Sequence, residues 1–256
     1  MKTSVGFKKI WVSEKSATGG LGNQWKPLQV GTREGTGSFM QDAATVTPYK
    51  NVLGDSIEEL IKAGDIKTAL QLADIDPETI AFVSGGTFTD SADGRTYGPA
   101  DSANVSRELS LAILTNKNIF ITAPRISFST ALTFKDDDLH FADMTGTALK
   151  PEDGVSRTFK YTALDATQAA AAKILGFALA AQTGAATINH TARTVAITVA
   201  TGTPKTALAP LVDVSMGAQC TPLSGVATDF TSPDVYTVEA ADGTTVSYTV
   251  TVTVAP

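Results

Sequence analysis

The chain has 256 residues, enough for one large core or two modest ones, and a formal net charge of −6. Its hydrophobic share of 43% is enough to offset ordering entropy, which excludes disorder for the whole chain. With no basic run beyond Lys8-Lys9, tight binding to duplex nucleic acid is excluded as well.

Thr, Ala, Val and Gly dominate, which favours strands over helices. One cysteine, Cys220, rules out an internal disulfide framework; in GAQCTPLSG it has no base or cation beside it, so a small buried residue is expected. The N-terminal MKTSVGFKKIWVSEK holds no signal-type apolar run, because Lys8 and Lys9 interrupt it, so synthesis in the cytosol without export is expected. No segment approaches the roughly 20 apolar residues of a membrane span. The most apolar one, 169–181, is shorter and contains Lys173.

Charge density changes near residue 165. Residues 1–165 carry 17 Lys/Arg and 21 Asp/Glu, whereas 166–256 carry three and five. Two domains are expected, 1–165 and 166–256.

In chain order, TSVGFKKIWVS reads as a first strand and 28–42 as a second strand system with Gly31, Gly35 and Gly37 as bulge points. Residues 43–65 form a long connection. Within it DSIEELIKAG reads either as one or two helical turns or as an extended arm. Residues 66–74 resume a strand. DIDPETIAFVSGG has clear helix signals: Asp76 as cap, Pro77 in the first turn, Glu78 at the positive end of the dipole and Gly85-Gly86 as stop. A helix is expected from 77 to about 83. A meander follows, with strands at 104–116, 118–124, 125–134 and 138–149.

In the second half, strands are expected near 173–179, 194–199, 211–216, 235–239 and 244–254. In the last, Val246, Tyr248, Val250, Val252 and Val254 alternate with Ser and Thr, giving one buried and one wet face. Asp242-Gly243 is the hairpin turn. The fold class is mainly β: a sandwich or barrel domain with one short flanking helix, then an immunoglobulin-like sandwich.

Motifs for chemistry are sparse. No phosphate-binding loop, paired CxxC or HExxH occurs, and GGLG and SGG lack the strand–loop–helix context of a nucleotide site. His140 stands beside Asp136, Asp137, Asp138 and Asp143; the alternatives are a metal site and a solvated turn, and no metal is assigned. His190, in TINHTART, reads as a turn residue. Glu58-Glu59 and Asp90/Asp93 lie in surface segments. No catalytic residue and no cofactor is assigned, and the chain is expected not to be an enzyme. Trp11 is expected in the core; Trp25, after a glycine-rich loop, in a core or at a subunit contact.

Two resemblances follow from these stretches. The order GTREGTGSF, GDIKTALQLADIDPETIAFVSGGTFT, LAILTNKNIFITAPRISFSTALTF and DDLHFADMTGTALKPEDG resembles the major tail tube proteins of long-tailed bacteriophages. That resemblance implies a virion structural protein, assembled in the host cytoplasm and located in the virion tail. Hexameric rings would stack into a tube with other tail proteins, and DNA would pass through a neutral-to-acidic lumen without sequence-specific binding. Val46, Tyr49, Val52, Leu53, Ile57, Leu60 and Ile61, in the connection 43–65, are then the inter-ring contact candidates; a local loop packed on its own domain is the other reading. Another tail component, such as a terminator or completion protein, is a further reading; these share the fold but form a single ring.

ARTVAITVATGTPKTALAPLVDVSMGAQCTPLSGVATDF and YTVEAADGTTVSYTVTVT resemble an immunoglobulin-like repeat of Bacteroidetes surface proteins. This implies a binding or spacer module, with glycan contact in some members, though no aromatic platform is visible in this half. The alternative for the whole chain is a bacterial surface or adhesion protein made of two β-sandwich binding modules.

Overall fold

The computed structural model describes residues 6–22, 25–28, 37–50, 56–73, 76–99, 106–133 and 141–256. The chain is mainly β, as its composition indicated. It opens with β1 (Phe7–Glu14), β2 (Lys26–Pro27) and β3 (Ser38–Gln41). Next, β4 (Thr45–Lys50) and β5 (Ser56–Lys62) pair antiparallel, Val46 opposite Ile61 and Thr47 opposite Leu60. The helical reading of 55–64 therefore gives way to an extended one: cross-strand pairing satisfies the backbone that local capping signals would have turned inward.

β6 (Ile66–Ala73) leads to α1 (Pro77–Ser84), where the caps act as the sequence indicated. The Asp76 carboxylate accepts from the amides of Glu78 and Thr79 at 3.0 and 3.1 Å. Gly85, at φ 77°, ends the helix in a conformation that favours glycine. β7 (Thr87–Ser91) and β8 (Gly94–Gly98) form a hairpin. β9 (Arg107–Thr115), β10 (Ile119–Thr133), β11 (Phe141–Ala148) and β12 (Lys160–Ala163) follow. Two strands were expected over 118–134, yet β10 is one strand of 15 residues. Pro124 lies inside it without an N–H to donate, and its carbonyl accepts from Ser110 Oγ at 2.6 Å. After α2 (Ala166–Ala169), capped reciprocally by Asp165 and Gln168, come β13 (Ile174–Ala178), β14 (Thr187–Asn189), β15 (Thr194–Val199), β16 (Leu211–Val214), β17 (Gln219–Thr221), β18 (Asp234–Glu239) and β19 (Thr245–Val254).

The chain groups into two compact units: residues 1–28, 110–124 and 152–256, and residues 29–109 and 125–151. The position near 165 where charge density changes falls inside the first unit.

In the first unit, β13 pairs with β16, and five strands run in the order β14-β15-β19-β18-β17. β15 and β19 are parallel, from Thr194 opposite Thr249 to Val199 opposite Val254; the other pairs are antiparallel. The core holds Ile174, Val195, Ile197, Val199, Val238, Val250 and Val252 with four rings, Phe177, Phe230, Tyr236 and Tyr248. Phe177 meets Phe230 and Tyr236 edge-on, with centroids 6.4 and 5.6 Å apart, and Phe230 stacks on Tyr236 at 6.2 Å. The expected alternation in β19 holds for Tyr248, Val250 and Val252, but Val254 lies at the strand's end and is exposed. The same unit contains β1, whose Ile10, Trp11 and Val12 are buried, and the pairing of β12 with the start of β10, Ile119 opposite Ala163.

In the second unit, β11 pairs with the latter part of β10 and with β6, and β3 pairs with β6. Leu70, Leu72, Ile126, Phe128, Ala142 and Met144 are buried there, as are Ala81 and Val83 of α1. Gly146 on β11 is a close-approach point: a Cβ would sit 2.6 Å from Ile126 Cγ2 and 2.9 Å from Phe128 Cδ1.

Candidate binding site

The inter-ring candidates are divided by the fold. Val46 is exposed on β4 and pairs with Ile61; Leu60 pairs with Thr47, Tyr49 with Glu58, and Ile57 lies in β5 beside the register shift. Val52 and Leu53 fall outside the described residues, as do His140, Asp136, Asp137 and Asp138. Asp143 accepts from Gln71 Nε2 at 2.7 Å. Among the described residues no group of three metal-ligating side chains converges. Cys220 is buried, and burial pushes its thiol up to about 11, so it is protonated at neutral pH.

Trp11 and Trp25, the chain's two tryptophans, line one cleft in the first unit, of about 290 Å³. Trp11 is fixed by its burial in β1 and by donating from Nε1 to Gln219 Oε1 at 3.2 Å. Its ring meets Phe120 edge-on at 6.1 Å. Below it, Ala112, Leu114, Leu164, Ala169 and Ala241 form a small core with Trp25 and Phe120 packed against it. That floor is tied down by polar contacts. Lys8 Nζ donates to the Ala241 carbonyl, Lys9 pairs with Glu239 at 2.6 Å, and the Asp242 amide donates to the Ala169 carbonyl at 3.0 Å. Leu21, Leu175 and Met216 form the mouth of the cleft, each exposed despite its size. Asp213, Ser215 and Thr122 are its polar members. Ser215 Oγ is already engaged by the Lys173 amide at 3.1 Å, which leaves the exposed Asp213 carboxylate as the acceptor at the rim. An apolar aromatic wall with one charged edge suits a ligand having an apolar face and donor groups on its perimeter.

A second depression of about 650 Å³ lies beside α2, lined by Ala166, Thr167, Ala170, Ala171, Ala172, Lys173, His190, Arg193, Val246 and Tyr248. His190 lies on the turn after β14, as expected, with Nδ1 3.0 Å from the Tyr248 hydroxyl.

Sequence reading placed Trp11 in the core and missed the rest of the cleft. Phe120, Leu175 and the neighbouring Asp213 and Met216 come from three distant stretches of the chain and belong to no motif. The available signal was weak: Leu175 and Met216 are large apolar residues at positions that face outward.

A family model described as "SGBP, N-terminal", the N-terminal region of Bacteroidetes surface starch/glycan-binding proteins, matches residues 174–252. A solved structure from Bacteroides thetaiotaomicron of a protein assigned as a glycoside hydrolase is 41% identical over 32% of this chain and 25% of that one, with a TM-score of 0.31. This chain thus spans a quarter of that protein, and at that TM-score the likeness carries no argument. No curated protein matches. The family match corrects the tail-tube resemblance, and with it the virion and the virion-tail location: the matched family is one of bacterial cell-surface proteins. The tail-tube reading rested on an ordered pattern of strands around one capped helix, which many mainly β chains share.

Proposed function

We propose that this chain is a non-catalytic module of a bacterial surface protein that holds a glycan, with the immunoglobulin-like sandwich as its rigid carrier. The carrying observation is that both tryptophans line one cleft whose other wall, Leu175 and 212–218, belongs to the segment matched by the surface glycan-binding family model. The carbon–hydrogen face of a pyranose stacks on aromatic rings, and its hydroxyls donate to a carboxylate such as Asp213. The sandwich's own rings do not serve this purpose, because Phe177, Phe230, Tyr236 and Tyr248 are all buried.

Electrophoresis of the full chain through native gels containing neutral polysaccharides tests the reading. Retardation by at least one of them is expected, together with a change in intrinsic fluorescence, since both tryptophans report on the cleft. Trp25→Ala should weaken retention by about tenfold or more. Passage at the same rate through every polysaccharide gel overturns the reading.

A further inference from the structure

We infer that the groove beside α2 is an anion site that takes the carboxylate or sulfate of an acidic sugar; this rests on the glycan reading above and specifies its ligand class. Residues 166–256 contain only three Lys or Arg side chains, Lys173, Arg193 and Lys205. Two of them line this one groove, with His190, and no acidic side chain is among its lining residues. In a chain of net charge −6, such a local excess of positive charge marks a place where an anion is favoured.

The groove is also held in shape. Arg193 has φ 55°, a left-handed conformation that Gly and Asn adopt routinely and Arg seldom does. Two contacts keep it there: its carbonyl accepts from the Thr249 amide at 2.9 Å, and the Asn189 side chain accepts from the amides of Thr191 and Ala192 at 3.0 and 2.9 Å. Lys173 is anchored at its backbone, its carbonyl accepting from the Ser215 amide at 3.0 Å. Tyr248, itself buried, engages His190 through Nδ1, which leaves Nε2 as that ring's remaining polar atom. Neither Lys173 nor Arg193 has an ion-pair partner among the described residues.

The chemistry follows from the side chains. A guanidinium presents a planar fork that matches a carboxylate or a sulfate face, and a nearby ammonium adds an adaptable second donor. Val246 offers an apolar patch for the ring that bears the anion.

The test uses the full chain in native gels containing polygalacturonate, dextran sulfate or the neutral polysaccharide that retains it best. The variants are Lys173→Gln with Arg193→Asn, chosen because Asn tolerates the left-handed backbone, and Lys117→Ala with Lys150→Ala as a charge-matched control at two exposed positions. Retention by at least one acidic polymer is expected. It should fall about tenfold or more in the double variant, persist in the control, and weaken as salt is raised. Retention by polygalacturonate alone assigns a uronate, and by dextran sulfate alone a sulfate. If neutral retention stands while acidic retention is absent or survives in the double variant, the anion site is overturned and the glycan reading remains. If no polymer retains the chain, both fall. An unchanged melting temperature of the double variant keeps loss of binding separate from loss of fold.

Discussion

The immunoglobulin-like sandwich and the second unit are both largely antiparallel β structures, yet they clothe their strands differently. The sandwich covers its outer faces with hydroxyls: Ser247, Thr249, Thr251 and Thr253 alternate with its buried row, and Thr237 bonds across to Ser247 at 3.0 Å. The second unit uses charge, and uses it in pairs. Arg125 meets Glu108 at 2.7 Å, Arg95 meets Glu78 at 3.1 Å, and Lys67 meets Asp42. Hydroxyls solvate a strand face without contributing sign. A cation beside such strands is therefore conspicuous, and this is why Lys173 and Arg193, without an ion-pair partner among the described residues, carry meaning that Arg125 or Lys67 do not.

The cores differ as well, and this sets the largest expected effects. Tyr236→Ala removes a ring packed against Phe177 and Phe230 and should cost about 3–5 kcal/mol, read by denaturant unfolding. Cys220 makes the result local: as the chain's one thiol, buried and protonated at neutral pH, it is labelled when the sandwich opens. Tyr236→Ala should speed that labelling. Leu70→Ala in the second unit should cost about 2–5 kcal/mol while leaving Cys220 labelling at the native rate; equal acceleration by both would break the comparison. Gly146→Ala, pressing on Ile126 and Phe128, should cost about 1–3 kcal/mol.

Asp76→Ala removes the α1 cap and should cost about 1 kcal/mol, seen as a lower melting temperature. Partial burial pushes the Asp76 carboxyl up, but hydrogen bonds from the Thr79 hydroxyl and the Thr79 and Glu78 amides, with the charge of Arg95, outweigh it and hold it below the usual carboxylate value. A folded value below the unfolded one gives stability that is present above the unfolded value and lost as pH falls through the folded one. The difference in melting temperature between wild type and Asp76→Ala should therefore shrink in acid below about pH 4. Smallest of all, Lys9→Ala removes an exposed ion pair with Glu239 and should change stability by less than about 1 kcal/mol.

How legible each region was follows from the range of the interactions that form it. α1 was read from local signals at its two ends, Asp76, Pro77 and Glu78 at the start and Gly85-Gly86 at the stop, and its caps are where they were expected. β19 was read from period-2 alternation, and Asp242-Gly243 from its turn chemistry; the Thr244 amide donates to Asp242 Oδ1 at 2.8 Å. Connections that depend on a distant partner were not legible. The parallel pairing of Val195 with Val250 joins residues 55 apart in the chain, and no local signal announces it. DSIEELIKAG read equally as helical turns or as an extended arm from its own residues; the partner strand decides for the extended form. The cleft needed Trp11, Phe120 and Leu175 to be brought together, and the groove needed Lys173 beside Arg193. Short β14 and β17, three residues each, were missed because alternation over three residues is not a pattern.

The place of β19 has a consequence for how the sandwich comes into being. It is the last strand of the five to be synthesised, yet it lies in the middle of their order, between β15 and β18. On the ribosome, β15 and β18 must wait with open edges, and Val195, Ile197 and Val238 stay uncovered until residues 245–254 have emerged. Maturation of the sandwich is thus gated by release of its final strand, and a nascent chain stalled before Thr245 should be cut by added protease at sites that the finished sandwich protects.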